Sequence, residues 1–188
     1  IQRGKVTTNM SIAICRADGK TGHAKATKLY TFEGLSNNSV FSLHQDHLGH
    51  LWIGTTDGLN IWDGHSLEMF NPDDGKNFFA GNTILSIHPD GKNGIWLRTY
   101  YGIAHINTIT RQICYYDSLT FASYITCGTD GVPYVIGSDR FIYRLDEKSD
   151  SFIKSEIDIP NHKEYLKHLH SAIDIIINGT CSYLLSDF

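Results

Sequence analysis

Long apolar runs are missing from this 188-residue chain. The longest near its end, residues 173–177, is broken by Asp174 and is far too short to cross a bilayer as a helix, which takes about 20 residues. An excess of positive charge is missing too. Lys and Arg number 16 against 20 Asp and Glu, for a net charge of −4. That leaves no basic footprint for nucleic acid or an anionic membrane surface. Cysteine is sparse: Cys15, Cys114, Cys127 and Cys181, with no C-x-x-C spacing, which argues against a structural zinc site. Isolated cysteines in strands read as small buried hydrophobes. No G-x-S-x-G, P-loop or G-x-G-x-x-G string occurs, and neither does a phospho-accepting His motif or a Gly-rich nucleotide lid. Cofactor and kinase chemistry are therefore not expected of these residues.

What the chain does have is turns. At 41% hydrophobic and 12% aromatic it can form a core, and its length suits one domain of average size. Residues 34–70 hold four short apolar runs, at 40–43, 51–53, 59–62 and 67–70. Turn residues separate them at 46–49, 55–58 and 63–64. Such runs are too short for stable helices, and Gly, Asp and Asn between β-branched and aromatic residues mark strands and turns. The segment reads as a four-stranded antiparallel meander. A lone meander leaves two unpaired edges and a bare apolar face, so it needs neighbours.

The chain repeats the pattern. Trp52 answers to Trp96, Ser42 to Ser86, Gly58 to Gly102 and Leu59 to Ile103, each 44 positions on. This is a spacing typical of propeller blades. A weaker third copy places Tyr134 in the Trp position and Phe141 in the Leu position. A fourth begins near Ile173, with Asn178-Gly179 as its turn and Tyr183 in the aromatic position. The expected fold is all-β, built of four-stranded propeller blades. These cover about 37–70, 82–116, 121–153 and 170–188, the last stopping after its second strand. Residues 1–26 do not fit the repeat and read as a leader or the end of a preceding blade, with 27–188 as the propeller segment. Within this lead, residues 10–15 read as a strand and 16–22 as a turn; residues 28–32, just after it, read as a strand that completes the blade before. The whole is expected to be a piece of a longer propeller.

The strings GLSNNSV, QD, LWIGT and DGLN at residues 34–40, 45–46, 51–55 and 57–60 closely resemble the two-component regulator propeller repeat. That repeat builds the periplasmic sensor regions of Bacteroidetes-type hybrid two-component systems. The resemblance implies a ligand-sensing, non-catalytic periplasmic segment of a histidine kinase sensor. It would recognise an oligosaccharide, its breakdown product or another small ligand, and would self-associate without touching the membrane itself. Two other readings compete: a propeller enzyme acting on polysaccharide, and a protein-interaction platform. In this family a basic residue is common where the chain has Ile61, and LWIGT becomes IWLRT at residues 95–99.

Candidate site residues follow from the blade pattern. Trp52 and Trp96 recur in register, so they read as blade-to-blade packing rather than ligand contacts. His44, His47 and His50 lie three apart, but strand alternation separates their faces. Asp73-Asp74 are adjacent loop residues, poorly placed to act as the paired carboxylates of a glycosidase, which sit roughly 5–9.5 Å apart across a bond. His162, His168 and His170 fall in a polar connector, in which residues 163–170 could turn helically. In propellers the loops joining second to third strands share one face with the connectors between blades. That face would gather Tyr100, Tyr101, Arg98, Arg140 and Asp57, with Asp139, Phe78 and Phe79. Tyr100 and Tyr101 replace Thr56-Asp57 of the first copy, and a residue that breaks its own repeat is a better functional candidate than one that keeps it. No metal is expected there.

Overall fold

The computed structural model of the chain describes residues 12–17, 24–29, 31, 34–70, 83–128, 131–156, 175–178 and 181–184. Within them the secondary structure is all-β: three four-stranded antiparallel sheets and two hairpins. Several expectations fall outside the described residues, among them the connector 71–81 with Asp73, Asp74, Phe78 and Phe79; the turn residue Gly179; and the connector histidines His162, His168 and His170 with the helical turns at 163–170. The chain divides into two compact units, Ile1–Leu85 and Ser86–Phe188.

In the first unit, β1 (Ile12–Ala17) and β2 (Ala24–Leu29) form a hairpin with Ile12 opposite Leu29 and Ala17 opposite Ala24. The strand anticipated at 10–15 extends to Ala17, and the one anticipated at 28–32 lies earlier, at Ala24–Leu29, because Arg16 and Ala17 pair with Lys25 and Ala24 across a shorter connection. Next come β3 (Val40–Gln45), β4 (Leu51–Thr55), β5 (Gly58–Trp62) and β6 (Leu67–Met69), hydrogen-bonded in chain order. Side chains alternate between faces along each strand. One face carries Ile53 onto Leu29 and Leu35, joined by Val40, Leu51, Trp62 and Leu67. The other carries Trp52, which stands between His44 and Ile61 in the ladder and lies 5.7 Å from the Phe70 ring. Gly54 shares this face, and a Cβ there would come within 2.8 Å of Ile84.

Two polar devices hold the turns of this sheet. Asp46 is buried where β3 meets β4. Its Oδ1 accepts the backbone N–H groups of Leu48 and His50, each at 2.9 Å, and its Oδ2 accepts the Trp52 indole N–H at 2.9 Å. Between β4 and β5, Thr55 Oγ1 donates to the Gly58 carbonyl at 3.1 Å and accepts the Asp57 N–H at 3.0 Å. Gly58 closes this tight turn at φ 116°, a conformation that L side chains rarely adopt.

The second sheet comprises β7 (Ile84–Pro89), β8 (Gly94–Thr99), β9 (Ile103–Asn107) and β10 (Ile113–Tyr116); β7 spans the boundary between the units. The third comprises β11 (Tyr124–Cys127), β12 (Pro133–Ile136), β13 (Ile142–Asp146) and β14 (Ser151–Lys154). A hairpin of β15 (Ile175–Asn178) and β16 (Cys181–Leu184) follows. In the second unit these two sheets share one core. Trp96 and Ile103 meet Leu119, Ala122, Ile125, Val135 and Phe152, and the Trp96 and Phe152 rings lie 6.0 Å apart nearly edge to face. Trp96 therefore packs one sheet on the next.

The third copy corrects one register. Trp52 pairs with Ile61, Trp96 with His105 and Tyr134 with Arg144, so Tyr134 does hold the aromatic place. The Leu59 and Ile103 place, however, belongs to Ile142, which is buried, and not to the exposed Phe141. The loops at 56–57 and 100–101 hold two residues, whereas the loop between Gly137 and Phe141 holds three. It ends in Arg140 at φ 69°, the left-handed residue that closes a three-residue hairpin. One extra residue shifts every later position by one. Cys127 lies half-buried against the core, but Cys114 is exposed rather than a buried hydrophobe; neither is in a disulfide.

Trp52→Ala and Trp96→Ala should each lower unfolding stability by about 3–5 kcal/mol, read from urea melts of the purified chain. A second test concerns Asp46. Burial disfavours its charge, but the Trp52 indole and the His50 and Leu48 N–H groups outweigh this and hold its pKa below the usual carboxylate value. A carboxylate depressed in the folded state adds stability above its unfolded pKa, about 3.9, and loses it as pH falls through the lower folded value. The stability gap between the parent chain and Asp46→Asn should therefore be full at pH 5–7 and shrink below about pH 4.

Candidate functional site

An antiparallel meander sends its turns alternately to two ends of the sheet. One end of the second sheet carries the β8–β9 loop; the opposite end carries the β7–β8 and β9–β10 turns. The candidate residues sort along this division.

At the first end, Thr99 repeats the device of Thr55. Its Oγ1 donates to the Gly102 carbonyl at 3.0 Å and accepts the Tyr101 N–H at 3.1 Å. This leaves the two loop residues pointing outward, with Tyr100 44% and Tyr101 59% exposed. Arg98, one step inside β8, turns its charge inward. Its Nη1 donates to the Ala122 carbonyl at 2.9 Å and its Nε to Ser86 Oγ at 3.4 Å. Burial pushes its pKa down, with nearby Tyr100 acting the other way. The first copy shows why. Arg98 occupies the place of Gly54, and Ser86 that of Ser42, whose Oγ is buried without a hydrogen-bond partner among the described residues. Arg98 thus ties the connector after β10 to the β8 end and has less freedom to meet a ligand than its type suggests.

The connector brings a residue that sequence reasoning passed over. Phe121 donates its N–H to the Tyr100 carbonyl at 2.9 Å and stands with its ring centroid 6.3 Å from that of Tyr100. It is 61% exposed. Its signal in the sequence was its place at a blade junction, where it was read only as the start of the third copy.

The remaining candidates sit apart from this group. Arg140 is exposed on the β12–β13 loop, its N–H donating to the Gly137 carbonyl at 3.0 Å. Beside it, Asp139 is already engaged: Tyr143 donates its hydroxyl to Asp139 Oδ2 at 2.6 Å, a bond that raises the Tyr143 pKa. Asp57 is exposed in the first unit, on the loop that corresponds to Tyr101.

The opposite end of the second unit holds a cavity of about 230 Å³ that sequence reasoning did not anticipate. Asp90, Lys92, Trp96, His105, Tyr116, Pro133, Leu145 and Glu147 line it. Asp90 Oδ1 accepts the N–H groups of Lys92 at 2.7 Å and Gly94 at 2.9 Å, and its Oδ2 lies 2.9 Å from His105 Nε2. The His105 ring stacks 4.4 Å from Trp96 and takes the oxygen that the indole takes in the first sheet. The Trp96 indole N–H is consequently buried without an acceptor among the described residues. This His–Asp pair has no Ser, Thr or Cys among the lining residues to activate. Among the described residues no group of three His, Cys, Asp or Glu could hold a metal ion.

Comparison with known proteins agrees with this geometry. Residues 34–57 match the family model of the two component regulator propeller. Histidine kinase P4 of Formosa agariphila is 50% identical over 44 residues, which is 22% of this chain and 3% of that protein. Among solved structures, the extracellular domain of BT3049 from B. thetaiotaomicron, described as a hybrid two component system, aligns at 26% identity and a TM-score of 0.57. It covers 68% of this chain. The extracellular domain of BT4673 from the same organism, described as a one component system, shares the fold at 22% identity and a TM-score of 0.57, over 78% of this chain. The chain spans only 19% and 22% of those two domains.

Replacing Arg98 by Met keeps the apolar stem but leaves the Ala122 carbonyl without its donor. The variant should lose about 1–3 kcal/mol of stability, and hydrogen exchange should quicken at residues 121–123.

Proposed function

This chain carries a two component regulator propeller repeat in an all-β fold, and we propose that it is the ligand-receiving, extracytoplasmic part of a two-component sensor. The observation that supports it most directly is the alignment with an extracellular two component domain across two thirds of the chain, joined to the 50% identity with a histidine kinase. The sensor kinase itself would lie elsewhere in the parent protein, and dimerisation of that protein would carry the signal.

The ligand proposed is an oligosaccharide or its breakdown product. The Tyr100 end of the second unit supports this, because it offers exposed aromatic rings beside polar backbone and hydroxyl groups. A sugar uses its C–H face against such rings and its hydroxyls against such polar groups. The segment is proposed to bind without turnover. Asp46, Asp63 and Asp90 accept turn N–H groups as structural anchors. That leaves them little capacity for acid–base work.

The test is calorimetric titration with maltohexaose, cellohexaose, xylohexaose and an alginate hexamer. One of them should bind, Tyr100→Ala should weaken that binding severalfold at unchanged melting temperature, and chromatography should show the probe intact after incubation. Absence of binding by the whole panel, or steady cleavage of a probe, would sink the proposal.

A further inference from the structure

Four non-glycine residues among those described have left-handed backbones: Arg111, Phe121, Arg140 and Asp150. Three are polar and sit at hairpin turns. Phe121, at φ 55°, is the apolar and bulky one, and such a residue in this region is an outlier that the surroundings must hold in place. They do so from both sides. The Phe121 N–H donates to the Tyr100 carbonyl at 2.9 Å, and Arg98 clamps the following Ala122 carbonyl at 2.9 Å. Asn or Gly would take this backbone with less strain.

Burial does not compensate the strain, because the ring is 61% exposed. Its aromatic neighbour is Tyr100, with centroids 6.3 Å apart and planes tilted by 49°. Two fixed rings of this kind are far too small for a stable protein interface, which buries roughly 1,200 Å² or more. They do match the faces of one sugar unit. We infer that Phe121, pinned by Tyr100 and Arg98, is a ligand-contacting residue that forms with Tyr100 a two-ring platform for a single sugar ring of the oligosaccharide. The inference rests on the ligand class proposed above. Arg98 acts in it as a positioning residue, through the backbone of the connector. The platform is preformed, so ligand binding spends little ordering entropy on the connector.

The experiment uses the 188-residue chain and whichever of the four hexasaccharides binds it tightest. Phe121→Asn should melt at the parental temperature or up to about 4 °C higher, since strain is relieved. The same variant should bind that probe about two- to tenfold more weakly. Phe121→Trp restores a large ring and should keep affinity close to the parent. A clear fall in melting temperature for Phe121→Asn would make the residue structural and overturn the inference, as would unchanged affinity. If Tyr100→Ala weakens binding while Phe121→Asn does not, the platform fails and the proposed ligand class stands. If the parent chain binds none of the probes, both fail together.

Discussion

A carboxylate at the first turn organises the sheets. Asp46 and Asp90 each collect two backbone N–H groups from the residues just after them, closing the turn between first and second strands. The second oxygen then reaches into the sheet for an aromatic partner: the Trp52 indole in one case, the His105 ring stacked on Trp96 in the other. Burial alone would discourage a charge at these points. The hydrogen bonds more than reverse it, so that both carboxyls ionise more readily than in water-exposed peptides. Each such bond is charge-assisted and stronger than a neutral one. One atom group therefore sets the turn, the strand register and the position of the largest ring in each core.

The difference between these two anchors shows how a repeat diverges without losing its shape. Where Ile61 stands opposite Trp52, the indole N–H reaches the carboxylate directly. Where His105 stands opposite Trp96, the imidazole intercedes and the indole N–H goes unmatched. An unpaired buried donor is destabilising by about 1–3 kcal/mol. The same substitution places a polar pair at the wall of a cavity of about 230 Å³. The Gly54 to Arg98 change works in the same way. A close backbone approach in the first copy becomes, in the second, a guanidinium tether between strand and connector. Loops that depend on the core through such tethers can vary in sequence while keeping their position, as recognition loops require.

The reading from sequence was correct where local chemistry sets the structure. Gly, Asp and Thr at the turns and the 44-residue interval of Trp52 and Trp96 placed the strands, because turn geometry and side-chain alternation are short-range. It slipped at Phe141, since a three-residue loop closed by Arg140 looks like a two-residue one until its left-handed backbone is seen. It placed Arg98 on the loop face without its tether to the connector, because a basic residue near the end of a strand carries no mark of which carbonyl it will meet. It passed over Phe121, whose exposure and strained backbone arise from Tyr100 and Arg98, about 20 positions away in the chain.

By itself, then, the sequence determined the all-β class, the repeat and the aromatic places in the blades. These follow from periodicity and turn chemistry, which act over a few residues. Only the tertiary structure decided which polar groups the fold consumes and which stay open. Arg98, Asp90 and Asp139 turned out to be occupied, whereas Tyr100 and Phe121 were held outward as a pair. That division depends on hydrogen bonds between segments distant in sequence, which form only when the sheets have packed.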